Sequence, residues 1–284
     1  MDTTRSWHPD GAWLPLATFD GARIHFVRPR PGAGPPLLLI HGFAQSSWAW
    51  RFVLPQLCQQ FDVIAVCLPG LGWSDKPLNV DYRFPAQGAR LLELLDRLNL
   101  PTAHVCGNSL GGALALRLAA THPERVDRLI LVGPAAHGMF PAALAAELQH
   151  EAMAPLWSVP GFSCLLKLGL KHGAYVHLPI DDHYMAHFMA PLRSPGAVPV
   201  TLRVARYFRK DLQDLEPLLP QVTVPTLLIW GGHDRLVPRH IVRHVIRRVP
   251  QTHLVVFADS GHCPQEEEPV RFAASCMAFL LEKP

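Results

Sequence analysis

Ser109 stands in Gly107-Asn108-Ser109-Leu110-Gly111-Gly112, a G-x-S-x-G placed directly after the apolar His104-Val105-Cys106 and directly before a run of helical periodicity. A serine at so sharp a strand-to-helix turn needs small residues two positions to either side, because the two backbones pass too closely there for a Cβ. Such a serine would project its hydroxyl from the C-terminal edge of a sheet, with the free N–H groups of its own helix beside it. The plain alternative is a serine that only caps the helix. A hydroxyl is too weakly acidic to attack a carbonyl unaided, so nucleophilic chemistry demands a histidine base and an acid to orient it. Asp234, in Trp230-Gly231-Gly232-His233-Asp234, follows one apolar run, and His262, in Asp259-Ser260-Gly261-His262-Cys263, follows the next. Asp234 is the expected orienting acid; Asp259 competes for the role through its nearness to His262 but lies ahead of the glycine turn. A tetrahedral oxyanion needs two backbone donors. The amide of Leu110 would be one, and that of Phe43, in His41-Gly42-Phe43-Ala44, the other, with the small Gly42 letting Phe43 turn toward the site. His41 reads as a brace for this loop, since His262 fills the base role.

These residues need a parallel sheet to hold them. Residues 37–40, 63–66, 129–132, 226–230 and 253–257 are short apolar runs bounded by turn formers, as strands buried on both faces are. Helical spacing at 48–59, 89–98, 110–120, 239–249 and 270–281 alternates with them. Asp20-Gly21, flanked by 18–19 and 24–27, predicts an opening hairpin. Between residues 134 and 214 the strand signals vanish into helical fragments cut by prolines. The expectation is an α/β fold with a doubly wound, mostly parallel sheet: a core from 1–133 and 215–284, and an inserted helical cap over 134–214.

Lys and Arg (26) exceed Asp and Glu (23) by only three in 284 residues, too little to predict nucleic acid or an anionic membrane as the main partner. The six cysteines form no CxxC pair and several lie in apolar runs, which predicts a reducing, cytoplasmic setting. No secretory or anchoring segment is read at the N-terminus, and the charge-free stretch 129–146 is too broken by Gly and Pro to span a bilayer.

The motifs 41–43, Leu68-Pro69-Gly70-Leu71-Gly72-Trp73-Ser74-Asp75, 107–112, Gly232-His233-Asp234 and Gly261-His262 together resemble the α/β-hydrolase fold superfamily. The resemblance implies a serine hydrolase with a helical cap. Asn108 and the cap placement are similar to those of esterases and of hydrolases that cleave carbon–carbon bonds in aromatic ring-fission products. Two positions depart from the pattern. Cys67-Leu68 stands where members often carry Asp before Pro-Gly, and Cys263 stands where ring-fission hydrolases usually carry Trp.

The expected activity is hydrolysis of a small carboxylic ester or related acyl compound through an acyl-enzyme on Ser109, with neither metal nor organic cofactor. The alternatives are a carbon–carbon hydrolase of ring-fission diketones and a ligand sensor on the same fold. Gly42, Asn108, Phe140, Trp157 and Phe188 are the expected substrate-contacting residues. His183 and His187 share a helix face but lack an HExxH glutamate, so the site is read without a metal. Glu266–Glu268 lead a helix, where they suit the positive end of its dipole.

Overall fold

A computed structural model describes residues 11–136, 138–139 and 161–282. Eight strands form one sheet in the order β1-β2-β4-β3-β5-β6-β7-β8. They are β1 (Ala12–Pro15), β2 (Arg23–Val27), β3 (Pro36–Ile40), β4 (Asp62–Val66), β5 (Ala103–Asn108), β6 (Val126–Val132), β7 (Thr226–Gly231) and β8 (Thr252–Phe257). β1 and β2 run antiparallel, and every pairing from β4 through β8 is parallel. The expected α/β class and mostly parallel sheet are therefore present.

Side chains alternate between the two faces of a strand, so a sheet with helices on both sides buries every position. Leu38, Ile40, Ile64 and Val66 enter one core with helices Phe84–Arg97, Leu110–Thr121 and Arg239–Arg248. Leu37, Leu39, Val63 and Ala65 enter the other, against helix Pro269–Leu280. β8 departs from the expected buried strand. It is the sheet edge, and Leu254 and Val256 stay partly exposed.

Two further local expectations are corrected. Thr18-Phe19 is not the first arm of the hairpin, because residues Ala17–Phe19 form a 3-10 turn and Ala12–Pro15 pairs with β2 instead. Phe19 is fully buried, and Asp20 and Gly21 both take positive φ. Burial of the phenyl ring thus set the turn, and the Asp-Gly pair closes it. Residues 48–59 form no continuous helix; Ser47–Trp50 is a 3-10 turn and Leu54–Leu57 a single helical turn with Pro55 near its start, because the proline ring cannot sit inside a longer helix.

Among the described residues, 161–221 contain helices Phe162–Gly169, Asp182–Met189 and Ala197–Leu215 and no strand. The last of these packs Val200, Val204, Leu212 and Leu215 into the core. None of the described helices is long and apolar enough to cross a membrane.

The chain moves from β3 to β4 on one side and then crosses to β5 on the other side of β3. At such a switch point the loops after the two central strands diverge and leave a crevice at their C-terminal ends. Ile40 is level with Gly107, and Asn108 with Val132. The segments after β3, β5, β6, β7 and β8 consequently open on one edge.

Candidate active site

Ser109 is the single residue between β5 and helix Leu110–Thr121, and it takes φ 55°, ψ −115°. A side chain held there stores on the order of 1–3 kcal/mol of backbone strain. Its surroundings enforce the conformation: Ser109 N–H donates to the Val132 carbonyl at 2.9 Å, while its own carbonyl accepts from Ala113 and Ala135 at 3.1 and 3.0 Å. The flanking glycines are sterically required. A Cβ on Gly107 would lie 2.2 Å from the Gly111 carbonyl oxygen, and one on Gly111 would lie 2.3 Å from that of Ile40.

Asp234 and His262 meet from β7 and β8. His262 Nδ1 and Asp234 Oδ2 are 2.8 Å apart, and the side chains of both are almost wholly buried. Asp234 Oδ1 accepts the N–H groups of Leu236 and Val237 at 2.8 Å, which fixes the carboxylate's plane. With Nδ1–H donating to that carboxylate, Nε2 is left with its lone pair free to take a proton. Asp259 is exposed and is not the partner.

The pair stands over Gly133, where a Cβ would lie 3.0 Å from Asp234 Oδ2 and 3.2 Å from His262 Nδ1. Gly133 follows Val132, whose carbonyl holds the Ser109 amide. Serine, histidine and aspartate are thereby gathered around the end of β6. Among the described residues Ser109 Oγ makes no hydrogen bond.

The loop after β3 reaches the same point, with a Gly42 Cβ position 3.4 Å from Ser109 Cβ. Leu110 is the first residue of its helix, so its N–H has no intrahelical partner. Phe43 N–H is likewise without a hydrogen bond among the described residues. His41 is the brace: its Nε2 accepts Leu68 N–H at 2.9 Å, and its Nδ1–H donates to the Gly42 carbonyl at 2.7 Å. Complete burial pushes its pKa down to about 4, so the ring stays neutral and keeps both roles.

Asn108 lies beneath the turn instead of in the crevice wall. It is fully buried, and its amide donates to the carbonyls of Val132 (3.0 Å) and His262 (3.2 Å), tying the β5–helix turn to the His262 loop. Phe188 packs with Trp48 and Tyr184 and lines a cavity of about 10 Å³, enough for one water. Phe140 and Trp157 lie outside the described residues. His187 stacks on Trp48 with ring centroids 5.1 Å apart, and among the described residues no three His, Cys, Asp or Glu side chains group as metal ligands.

Behind His262 the structure holds an ion pair that local sequence reading did not find. Glu266 is not merely a dipole partner; its carboxylate binds Arg51 at 2.5 Å and the Tyr175 hydroxyl at 2.7 Å, and Tyr175 contacts the Tyr184 hydroxyl at 2.7 Å. Burial pushes the Glu266 carboxyl upward, opposed by the adjacent guanidinium. Arg51 also lies 3.4 Å above the Trp48 ring.

Residues 35–164 and 183–269 match the family model for the alpha/beta hydrolase fold. A 2-hydroxymuconate semialdehyde hydrolase of Pseudomonas sp. (strain CF600) is 30% identical over 271 residues, 88% of each chain. Lipase 1 of Psychrobacter immobilis is 30% identical over 281 residues, covering 93% of this chain and 82% of the lipase. Among solved structures, a membrane phospholipase A aligns with TM-score 0.77 and 28% identity over 95% of this chain and 85% of its own.

Proposed function

The chain belongs to the alpha/beta hydrolase fold family, and on that premise we propose that it is a serine hydrolase that cleaves a small carboxylic ester through an acyl-enzyme on Ser109. The observation that carries this reading is the 2.8 Å His262–Asp234 pair poised over the end of β6, next to a serine held at positive φ. His262 Nε2 takes the hydroxyl proton as Ser109 Oγ attacks the carbonyl carbon. The oxyanion is received by the amides of Phe43 and Leu110. The imidazolium then returns its proton to the departing alcohol, and a water deprotonated by the same nitrogen hydrolyses the acyl group.

The insertion over 134–214 would close the crevice and select the acyl or leaving group, with Phe188 and, outside the described residues, Phe140 and Trp157 as wall residues. The partner would be a small-molecule acyl substrate and not a nucleic acid. The free thiols of Cys58, Cys67, Cys106, Cys164, Cys263 and Cys276 fit a reducing, cytoplasmic setting.

The test is turnover of p-nitrophenyl esters of increasing acyl length by wild type and Ser109→Ala. Removing the nucleophile should cost at least about three orders of magnitude in kcat, and turnover that survives the substitution refutes the reading. The Pseudomonas relative's name favours a second reading, hydrolysis of a carbon–carbon bond in a vinylogous diketone. Ser109-dependent turnover of such a diketone far above that of any ester would select it.

A further inference from the structure

The loop that carries His262 is fastened to the helical insertion by one carboxylate. Glu267 Oε1 accepts the main-chain N–H groups of Val176 and His177, the latter at 2.8 Å, and Glu267 Oε2 accepts the N–H of Gly261. Gly261 immediately precedes His262, and residues 176 and 177 belong to the segment between helices Phe162–Gly169 and Asp182–Met189. The same segment reaches back: the Ala174 carbonyl accepts His262 N–H at 2.7 Å. The approach is so close that a Cβ on Gly261 would lie 2.4 Å from the Ala174 oxygen. The neighbouring Glu266 anchors Tyr175 from below through its hydroxyl.

We propose that Glu267 is a positioning residue: its carboxylate locks residues 174–177 of the insertion onto the His262 loop, so that the imidazole's aim at Ser109 is set by the docking of the insertion. The assignment of His262 as base rests on the reading above. Three convergent N–H donors, from two segments some 85 residues apart in sequence, need an acceptor with two charged oxygens and no proton. No neutral side chain of this length supplies that. Glutamine at this position would turn an NH₂ group toward an N–H donor in either amide orientation, leaving one side of the junction unbonded. Neither Glu267 oxygen reaches the imidazole ring, so Glu267 acts through the main chain at Gly261 and not in the reaction itself.

The first test needs no substrate. The His262 Nδ1 proton, held by the Asp234 carboxylate, gives a downfield proton resonance, assigned by its loss in His262→Gln, and in Glu267→Gln it should move or vanish through exchange. The second is ester hydrolysis by wild type, Glu267→Gln and Glu267→Asp, with active sites counted by a fluorophosphonate burst. Glu267→Gln should lower kcat per titrated site about 10- to 100-fold, the scale of misplacing a catalytic group by about 1 Å, while KM for a short ester changes less than about threefold on the same argument. Glu267→Asp, which keeps the charge, should recover part of the loss, and it replaces the glutamine variant if that chain does not fold. An unmoved resonance with unchanged kcat per site overturns the proposal, as does a loss that follows only the number of titratable sites. Wild-type protein without Ser109-dependent turnover refutes the hydrolase reading instead, and the resonance comparison then decides the junction alone.

Discussion

Replacing Arg51 by methionine leaves the Glu266 carboxylate buried beside Trp48, Tyr175 and Tyr184 without its counter-charge. The side chains of both ion-pair members are at most 3% exposed, so water cannot replace the lost partner. Removing one member of such a pair costs about 3–5 kcal/mol, because the remaining charge is uncompensated. For a chain of 284 residues, with an unfolding entropy of about 2.1 cal/mol/K per residue, that is a fall in Tm of about 5–8 °C. The penalty has a pH signature. Without Arg51 the folded-state pKa of Glu266 rises further above its unfolded value, since burial already raises it and the guanidinium was the main opposing influence. An acid with a raised folded pKa contributes its full stability below the unfolded pKa of about 4.3 and loses it as pH rises. The gap between Arg51→Met and wild type should therefore be widest near pH 8 and shrink toward pH 5. It should not close, because the contacts of Arg51 with the Trp48 ring and carbonyl are gone at every pH. Urea unfolding of both proteins across this range measures it. A deficit below about 1 kcal/mol at pH 8, the value expected for an exposed pair, or a deficit independent of pH, would show that the pair is not the desolvated contact described. The double variant Arg51→Met, Glu266→Leu should lose much less than Arg51→Met alone.

Asp234→Asn should leave the fold intact and lower kcat by about 10⁴, since an amide no longer fixes the imidazole tautomer; ester turnover with intact thermal unfolding checks it. His41 has a folded pKa of about 4 against an ordinary value near 6.5, so its contribution is present above pH 6.5 and lost as pH falls through 4. His41→Gln should flatten that acid limb by up to about 3 kcal/mol, read from unfolding free energies between pH 7 and 4. Asp211, buried on helix Ala197–Leu215, has its pKa raised to about 7 by burial. Its stability contribution is present below about pH 4 and lost as pH rises through 7, so Asp211→Asn should be neutral near pH 4 and stabilise by about 4 kcal/mol near pH 8.

The elements that carry Ser109, Asp234 and His262 were legible because they are local. A turn too tight for a Cβ writes Gly107 and Gly111 around Ser109, and strands buried on both faces write unbroken apolar runs, so the parallel sheet and the stations of Ser109, Asp234 and His262 followed from short stretches of chain. Where burial competed with a local signal, the local signal misled. Phe19 entered the core and displaced the expected hairpin arm, and β8 is an exposed edge although its residues are as apolar as those of an interior strand. Contacts between distant segments were beyond local reading altogether. Nothing near Glu266 announces that its partner is Arg51, 215 residues earlier, and nothing near Asn108 announces that its amide binds the His262 carbonyl. The neutral state of His41 and the bonds of Glu267 to the main chain at Val176, His177 and Gly261 depend on which groups packing brings together and which it strips of water. Periodicity and turn chemistry are properties of neighbouring residues and are carried by the sequence; pairing of buried polar groups depends on three-dimensional proximity and desolvation, which only the assembled fold decides.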